Sequence, residues 1–159
     1  MLNKKLKYKQ FLENYTDCPS EDFKEISGNF CRWISINDYE NNFKPLNIIT
    51  NPPQRLLNDS DKLCMGYGLS FFDSPQNALN RYSTLFEKQK RAHLKEIFKT
   101  DKGTQIAVIK IEHEDGLANE PNATNGHFTF HEYELVEFKE KIKSRINIFA
   151  DDGTINIEI

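Results

Sequence analysis

The stretch of residues 65–73, MGYGLSFFD, constrains the fold of this chain more than any other part of its sequence. It places two glycines before a short apolar run, and Ser74 and Pro75 follow directly. A serine N-cap with proline at the first helical position is a strong helix start, and apolar residues then recur at helical spacing over roughly seven turns. The pattern predicts a strand at 69–72 that runs into a long amphipathic helix. The middle of this helix, residues 87–91, is highly charged and is where we expect an interruption of the helix.

Runs of β-branched and aromatic residues predict the other strands around this unit. Residues 104–112 contain the nearly continuous apolar run IAVI, which is typical of a central strand buried on both faces. The other predicted strands are 30–36, 127–138, 155–159 and 142–149, the last being either a strand or a short turn and a strand. Residues 37–62 are predicted to be mostly irregular, with 46–50 as the one candidate for a short strand, and residues 3–15 carry the apolar spacing of a helix. We therefore predict an α+β fold in a single domain over 1–159, with an N-terminal helical segment at 1–27 and a mixed α+β core at 28–159.

The composition argues against several classes of protein. With 38% hydrophobic and 28% charged residues, the chain is typical of a globular protein and not of a disordered one. Its net charge of -3 argues against a nucleic-acid-binding module, which usually carries a basic excess. No apolar run approaches the length of a membrane span, and the basic N-terminus lacks the apolar core of a signal peptide. We expect a cytoplasmic protein with no membrane partner, and the sequence leaves export without a signal peptide and the oligomeric state open.

The three cysteines are odd in number and widely spaced. Cys18, Cys31 and Cys64 form no C-x-x-C pair, so the pattern predicts reduced thiols in a cytosol. A cysteine nucleophile at Cys31 or Cys64 is an alternative, but the sequence assigns no partner histidine to either residue.

The familiar motifs of nucleotide binding and hydrolysis are missing from the chain, among them the P-loop and the dinucleotide-binding glycine pattern. Arg32 nevertheless lies inside an apolar strand, between Cys31 and Trp33. It has two interpretations. Either it is an edge residue that reaches solvent over its aliphatic stem, or a cleft holds its guanidinium to bind a carboxylate or phosphate bidentately.

Ser70 is surrounded by aromatic residues in the glycine-punctuated stretch. Tyr67, Phe71 and Phe72 lie within three positions of its hydroxyl group. Aromatic faces stack on flat rings, and glycines let the backbone approach a ligand. The alternative is a core strand whose phenylalanines simply pack.

Glu132 and Glu134 lie two residues apart on a predicted strand, so both carboxylates project to one face. Val136 and Phe138 continue that face, and partial burial beside them raises a carboxyl pKa. A carboxylate in this place can stabilise developing positive charge. The alternative is a solvated sheet face.

A metal site is the other chemistry that the late strand suggests by residue type. Its candidate ligands are His113, His127, His131 and Glu132. Their spacings fit no structural zinc pattern. We therefore predict that the chain holds no metal.

Taken in order, Arg32, Ser70 and the pair Glu132 and Glu134 resemble the arginine–serine–glutamate class of mono-ADP-ribosyltransferases. The sequence GLSFFDSPQNALNRY at 68–82 is similar to the family's strand in which small hydroxyl residues precede a helix with an inward alanine and tyrosine. The sequence EYELV at 132–136 resembles the family's Glu-x-Glu strand. Two departures are the single hydroxyl where the family has Ser-Thr-Ser and the lack of a typical glycine after Arg32.

The resemblance implies an ADP-ribosyltransferase-like fold of two small, mostly antiparallel sheets with flanking helices, and NAD bound as substrate in the cleft between them. It implies that Arg32 holds the phosphates or a ribose of NAD. It further implies that Tyr67, Phe71 or Phe72 stacks on nicotinamide.

The same resemblance assigns the chemistry. Glu134 would hydrogen-bond the ribose and stabilise the oxocarbenium-like transition state as nicotinamide leaves. Ser70 would support the nicotinamide ribose or the catalytic carboxylate, and Glu132 would orient the acceptor.

Two functional hypotheses follow. The first is an NAD-dependent ADP-ribosyltransferase-like enzyme of toxin or effector type that modifies a protein or nucleic acid. The second is a non-catalytic interaction module, such as an immunity protein, inhibitor or antitoxin of a bacterial or phage conflict system, and it draws on the acidic net charge and on the 12 phenylalanines.

Overall fold

Six β-strands form one antiparallel sheet in the computed structural model, which describes residues 4–159. The strands are β1 Gly28–Ile34, β2 Leu69–Phe72, β3 Gln105–Ile111, β4 Gly116–Ala118, β5 His127–Glu132 and β6 Ile142–Asn147. Their order across the sheet is β4-β5-β2-β1-β3-β6. The predicted α+β class is confirmed, whereas the expectation of two sheets is wrong because one sheet contains all six strands.

The centre of this sheet is nevertheless narrow. Strands β1 and β2 meet at one residue pair, Cys31 with Phe72, whereas β1 and β3 pair along their whole length, from Gly28 with Ile111 to Ile34 with Gln105. The sheet therefore consists of two half-sheets, β4-β5-β2 and β1-β3-β6, which a one-pair junction joins.

Five α-helices accompany the sheet within residues 4–159. They are α1 Lys9–Leu12, α2 Leu46–Ile49, α3 Ser60–Met65, α4 Pro75–Glu87 and α5 Ala92–Lys102. Helix α4 begins as the sequence predicts, because the Ser74 hydroxyl accepts a hydrogen bond from the amide of Asn77 at 3.1 Å. The chain leaves the helical conformation between Glu87 and Ala92, so the expected break is present. None of the helices in residues 4–159 has the length and apolarity that a membrane crossing needs.

Each face of the sheet buries its own apolar cluster. Along β2, Phe71 and Phe72 point to opposite faces because side chains alternate in a strand. Helices α4 and α5 cover the Phe72 face with Ala78, Leu79, Tyr82, Phe86 and Phe98. Irregular segments carrying Phe43, Val136 and Phe138 cover the Phe71 face. We call these the helix-covered face and the loop-covered face.

Several predicted elements differ from the structure. The predicted strand at 46–50 is helix α2, because a short apolar run does not distinguish a helix from a strand. The predicted strand at 127–138 ends at Glu132. The predicted strand at 155–159 is reduced to an isolated bridge between Phe149 and Ile155, and the helix at 3–15 to α1, with residues 1–3 outside the described part of the chain.

The prediction of reduced cysteines is also wrong for two of the three. Cys18 and Cys64 form a disulfide whose Cα atoms are 5.8 Å apart, and Cys31 is free and buried. A spacing of 46 residues matches no motif, so the sequence carries no local signal for this pair. Disulfides are typical of oxidising compartments, so the cysteines no longer support a cytoplasmic location.

Candidate functional site

Arg32 fills the gap that the one-pair junction leaves between β1 and β2. Its Nε donates a hydrogen bond to the carbonyl oxygen of Asn42 at 2.7 Å, and its Nη1 donates to the carbonyl oxygen of Ser70 at 2.8 Å. The guanidinium lies 6.0 Å from the ring centres of both Phe43 and Phe71. The Arg32 side chain thus links β1 to β2 where backbone hydrogen bonds are missing. Arg32 is therefore not a solvent-facing edge residue, and its two hydrogen bonds fix the orientation of its guanidinium.

Glu132 is a buried carboxylate at the end of β5. Its side chain is 2% exposed, and its Oε1 has no hydrogen-bond partner within residues 4–159. Burial raises the pKa of Glu132 to about 7, against the opposing effect of the positive charges of Lys7 and Arg32. An acid that titrates near neutrality in an enclosed place is a recognised sign of a functional site.

Arg32 and Glu132 share the loop-covered face. Residues two apart in a strand point to the same face, so Glu132 shares a face of β5 with Phe130 and Phe128, and Arg32 shares a face of β1 with Ile34. Phe128, Phe130 and Ile34 all pack on the loop-covered face. The two charges interact: burial lowers the pKa of Arg32 to about 10, and the negative charge of Glu132 opposes this change. The structure therefore couples an anchored cation to a carboxylate of raised pKa, although the two do not form a direct ion pair.

The hydroxyl of Ser70 belongs to the opposite face. Ser70 is exposed and lies on the Phe72 side of β2, where its Oγ is 3.0 Å from Nε2 of His127. The ring of His127 packs edge-on against Phe72. Burial and the charges of Arg81 and Arg32 lower the pKa of His127, which keeps its ring neutral at pH 7. Only the main chain of Ser70 reaches Arg32, so the side chains of Arg32, Ser70 and Glu132 do not meet at one point.

Glu134 lies apart from this pair. It follows the end of β5, is half-buried, and pairs with Lys5 at 3.8 Å on the surface. Its backbone amide donates to the carbonyl oxygen of Lys5. The interpretation that placed Glu132 and Glu134 on one strand face therefore fails, because the strand stops between them.

The aromatic residues assigned to nicotinamide stacking are occupied within the fold. Phe71 and Phe72 are 0% and 2% exposed, one in each apolar cluster. Tyr67 is half-buried and stacks on Phe11 at 5.2 Å. None of these three rings offers a free face beside Arg32.

Residues outside the sequence-based set complete the surroundings of the pair. Lys7 places its Nζ 3.6 Å from Oε2 of Glu132. Tyr8 lies close enough that burial and the charge of Glu132 raise its pKa to about 12. Asn42 supplies the second carbonyl to Arg32 and is itself buried through hydrogen bonds with Ser35. No sequence pattern identifies these three, because each lies in an irregular or N-terminal segment.

The alternative chemistries find no support in the geometry. No group of three or more His, Cys, Asp or Glu among the described residues 4–159 is placed to hold a metal ion. Burial raises the pKa of the Cys31 thiol to about 12, which leaves it unreactive at neutral pH, and Cys64 is oxidised.

The chain matches no protein-family model, and no curated protein or solved structure is similar enough to count as a match. Arg32 and Glu132, the anchored cation and the buried carboxylate of raised pKa, are therefore the features from which a function can be inferred.

Proposed function

We propose that this chain is an NAD-dependent ADP-ribosyltransferase-like enzyme that modifies a protein or nucleic acid, with Arg32 and Glu132 as its working pair. One observation carries the proposal. Glu132 is a buried carboxylate of raised pKa that shares a sheet face, and an electrostatic coupling, with an arginine anchored at the junction of two half-sheets.

Arg32 is suited to bind the diphosphate of NAD. A guanidinium has five N–H donors, and two of its nitrogen atoms donate to the carbonyl groups of Asn42 and Ser70. Its other N–H groups make no hydrogen bond within residues 4–159 and fit the oxygen atoms of a phosphate. The two carbonyl contacts fix the direction in which those donors point, which lowers the entropy lost on binding.

Glu132 supplies the negative charge that the reaction needs. When the bond between nicotinamide and ribose breaks, its electron pair leaves with nicotinamide and positive charge develops on the ribose. A fixed carboxylate in a place of low polarity stabilises that charge strongly, because little water competes for it. With a pKa of about 7, Glu132 is ionised in a growing fraction of molecules as the pH rises above neutrality. The family resemblance implies this role for Glu134, but we assign it to Glu132, because only Glu132 is both buried and coupled to Arg32.

Nicotinamide release from NAD by the purified full chain tests the proposal, with the disulfide both oxidised and reduced. Glu132→Gln removes the charge and keeps the shape, so we expect release to fall by about 100-fold. Glu134→Gln is the matched control two residues away, and we expect it to leave the rate unchanged. No NAD binding and no nicotinamide release in either redox state would refute the enzyme, and equal losses in the two variants would refute the choice of Glu132.

A non-catalytic interaction module is the second candidate, and one observation favours it. Four large apolar side chains are exposed within residues 36–57, namely Ile36, Leu46, Ile49 and Leu57. Exposed apolar residues that form a contiguous patch are typical of a protein-binding surface, and these four lie on one segment of the chain. Under this proposal, a purified partner stays bound when Arg32→Ala and Glu132→Gln are introduced, and is lost when Leu46 and Ile49 are replaced by serine.

A further inference from the structure

The carboxylate of Glu132 is closed off by residues 4–12, which we call the strap. The strap runs antiparallel to the chain that follows β5, with a bridge between Leu6 and Tyr133. The amide of Lys7 donates to the carbonyl oxygen of Glu132 at 3.0 Å, and the amide of Glu134 donates to the carbonyl oxygen of Lys5 at 2.9 Å. The strap thus extends the sheet at the point where the carboxylate lies.

The side chains of the strap complete this cover. Lys7 places its Nζ 3.6 Å from Glu132, and Tyr8 lies within reach of the carboxylate charge. Lys7 is itself exposed, so it forms the outer wall between Glu132 and solvent. A ligand as large as NAD therefore has no path to Glu132 while the strap is in place.

The ion pairs of the strap differ in exposure. The Lys5–Glu134 pair, 3.8 Å long and solvent-exposed, contributes little to stability, whereas Lys7 pairs at 3.6 Å with the buried Glu132 and Lys4 pairs at 2.7 Å with Glu25. An open groove of about 500 Å³ runs along the strap and is lined by its own residues, including Lys5, Leu6 and Leu12, together with Cys18.

The Cys18–Cys64 disulfide provides the firm attachment. Cys18 follows the strap in sequence, and Cys64 lies in α3, directly before the glycines that lead into β2. The stack of Phe11 on Tyr67 connects the same two segments. The disulfide therefore ties the end of the strap to the entrance of the strand that anchors Arg32.

We propose that the strap is a redox-controlled cover, which closes the Glu132 site while Cys18 and Cys64 are joined and opens it when they are reduced. A dithiol reductant supplies two electrons and two protons, the sulfur–sulfur bond becomes two thiols, and the reductant leaves as its own disulfide. The consequence for catalysis rests on the function proposed above. The opening itself does not, because it is a change in the accessibility of one carboxyl group.

Carboxyl labelling measures that accessibility without NAD. The full chain is treated with a water-soluble carbodiimide and an amine, and modification of Glu132 is read by peptide mass spectrometry. Three samples are compared: oxidised protein, protein reduced with dithiothreitol, and the Cys18→Ser, Cys64→Ser double variant. The exposed carboxyl of Glu140 serves as the internal control, because its labelling must not change.

We expect Glu132 labelling to rise at least about tenfold, one order of magnitude in accessibility, in the reduced protein and in the double variant. Circular dichroism must remain native in both, which separates strap opening from unfolding. The proposal is overturned if labelling stays at the oxidised level although mass spectrometry shows both thiols free.

Nicotinamide release in the same samples separates this proposal from the enzyme itself. A rise in labelling with a rise in release supports both. A rise in labelling with no release in any sample supports the strap and refutes the NAD-dependent enzyme. Equal release in oxidised and reduced protein, with Glu132 closed in both, supports the enzyme and overturns the strap.

Discussion

The two half-sheets differ in what they bury. In the half-sheet β1-β3-β6, strands β1 and β3 bury apolar side chains, including Ile34, Ile106, Ile109 and Ile111, each at most 1% exposed. The half-sheet β4-β5-β2 buries polar groups on β5, namely Thr129, His131 and Glu132. Three buried side-chain atoms within residues 4–159 have no hydrogen-bond partner: Nε2 of His131 and Oε1 of Glu132 on β5, and Oε1 of Gln105 at the start of β3.

Burial of a polar group without a partner costs free energy that burial of an apolar group does not. The half-sheet β4-β5-β2 bears this cost at both His131 and Glu132, whereas the half-sheet β1-β3-β6 bears it at Gln105. A fold retains such groups where they serve a purpose other than stability. The contrast points to the β5 side of the junction as the place of function, and substitutions on the two sides should differ in sign and in pH dependence.

Ile109→Ala should give the largest effect. Ile109 is fully buried on the central strand of the apolar half-sheet, so its truncation removes apolar burial and leaves a cavity. We expect a loss of about 2–5 kcal/mol in the free energy of unfolding, measured by urea denaturation, and about 1 kcal/mol for the control Ile109→Val. The loss should be the same at pH 5 and pH 8, and a pH-dependent loss would contradict the division between the half-sheets.

Glu132→Gln should stabilise the protein at high pH. The Glu132 pKa is raised from 4.5 to about 7 in the folded state, so the folded protein holds its proton over a range in which the unfolded chain has lost it. Wild-type stability therefore falls as the pH rises from about 4.5 to about 7, by roughly 3 kcal/mol. The variant cannot titrate and should lack this fall, so denaturation at pH 5 and pH 8 decides the matter. A pH profile unchanged from the wild type would show that Glu132 is not held as a buried acid.

His131→Phe should remove a loss of stability at low pH, whereas Glu132→Gln removes a loss of stability at high pH. Burial lowers the pKa of His131 from 6.5 to about 4. Between these two pH values His131 is protonated in the unfolded chain and neutral in the folded protein. Wild-type stability therefore falls as the pH drops from about 6.5 to about 4, by roughly 3 kcal/mol. Phenylalanine keeps the contact with Phe23 and should abolish the fall in acid denaturation experiments. Persistence of the whole acid-side loss in the variant would assign that loss to other groups.

Arg32→Met tests the junction between the half-sheets. Methionine keeps an aliphatic stem but leaves the carbonyl groups of Asn42 and Ser70 without their donor. We expect a loss of about 2 kcal/mol in the free energy of unfolding, and loss of NAD binding in calorimetry. Arg32→Lys keeps the charge but not the guanidinium that donates to both carbonyl groups. We expect its stability and its NAD affinity to lie between those of the wild type and of Arg32→Met. Full NAD binding by Arg32→Met would separate the junction from the site.

Ser70→Ala should give the smallest effect. The hydroxyl is exposed and bonds to His127 on the helix-covered face, whereas Arg32 uses the Ser70 carbonyl, which alanine retains. We expect a change within about 0.5 kcal/mol in stability and an almost unchanged rate of nicotinamide release. A large loss of release would restore the hydroxyl role that the family resemblance implies and would place the reacting ribose on the other face.

Local signals in the sequence predict the local parts of this fold. Ser74 and Pro75 predict the start of α4, and the charged stretch after Glu87 predicts the break before α5. The continuous apolar run predicts β3, whose neighbouring residues Ile106 and Ala107 are buried on opposite faces, although β3 lies next to the edge strand β6 and not at the centre of the sheet. Each of these depends on residues close together in sequence, where capping and periodicity act directly.

The candidate site depends on contacts between distant segments. Alternation places Glu132 and Glu134 on one face only if the strand continues, and it stops because the chain turns after Tyr133, whose carbonyl oxygen accepts a hydrogen bond from the amide of Val136. The position of Arg32 depends on a gap between β1 and β2 that no residue pattern reports. The Cys18–Cys64 pair likewise closes a long loop without any motif. Tertiary geometry, which a single sequence does not encode locally, decides the last two.

The strand order has a consequence for synthesis of the chain on the ribosome. Strand β2 pairs mainly with β5. The backbone edge of β2 that carries Phe71 and Phe72 therefore stays unpaired until residues 127–132 have emerged from the ribosome. The residues of helix α4, including its N-cap Ser74, emerge well before that. Unpaired apolar strand edges recruit other chains. Nascent chains that stall between α5 and β5 should therefore be the aggregating species, and slower growth at low temperature or early chaperone capture should raise the soluble yield.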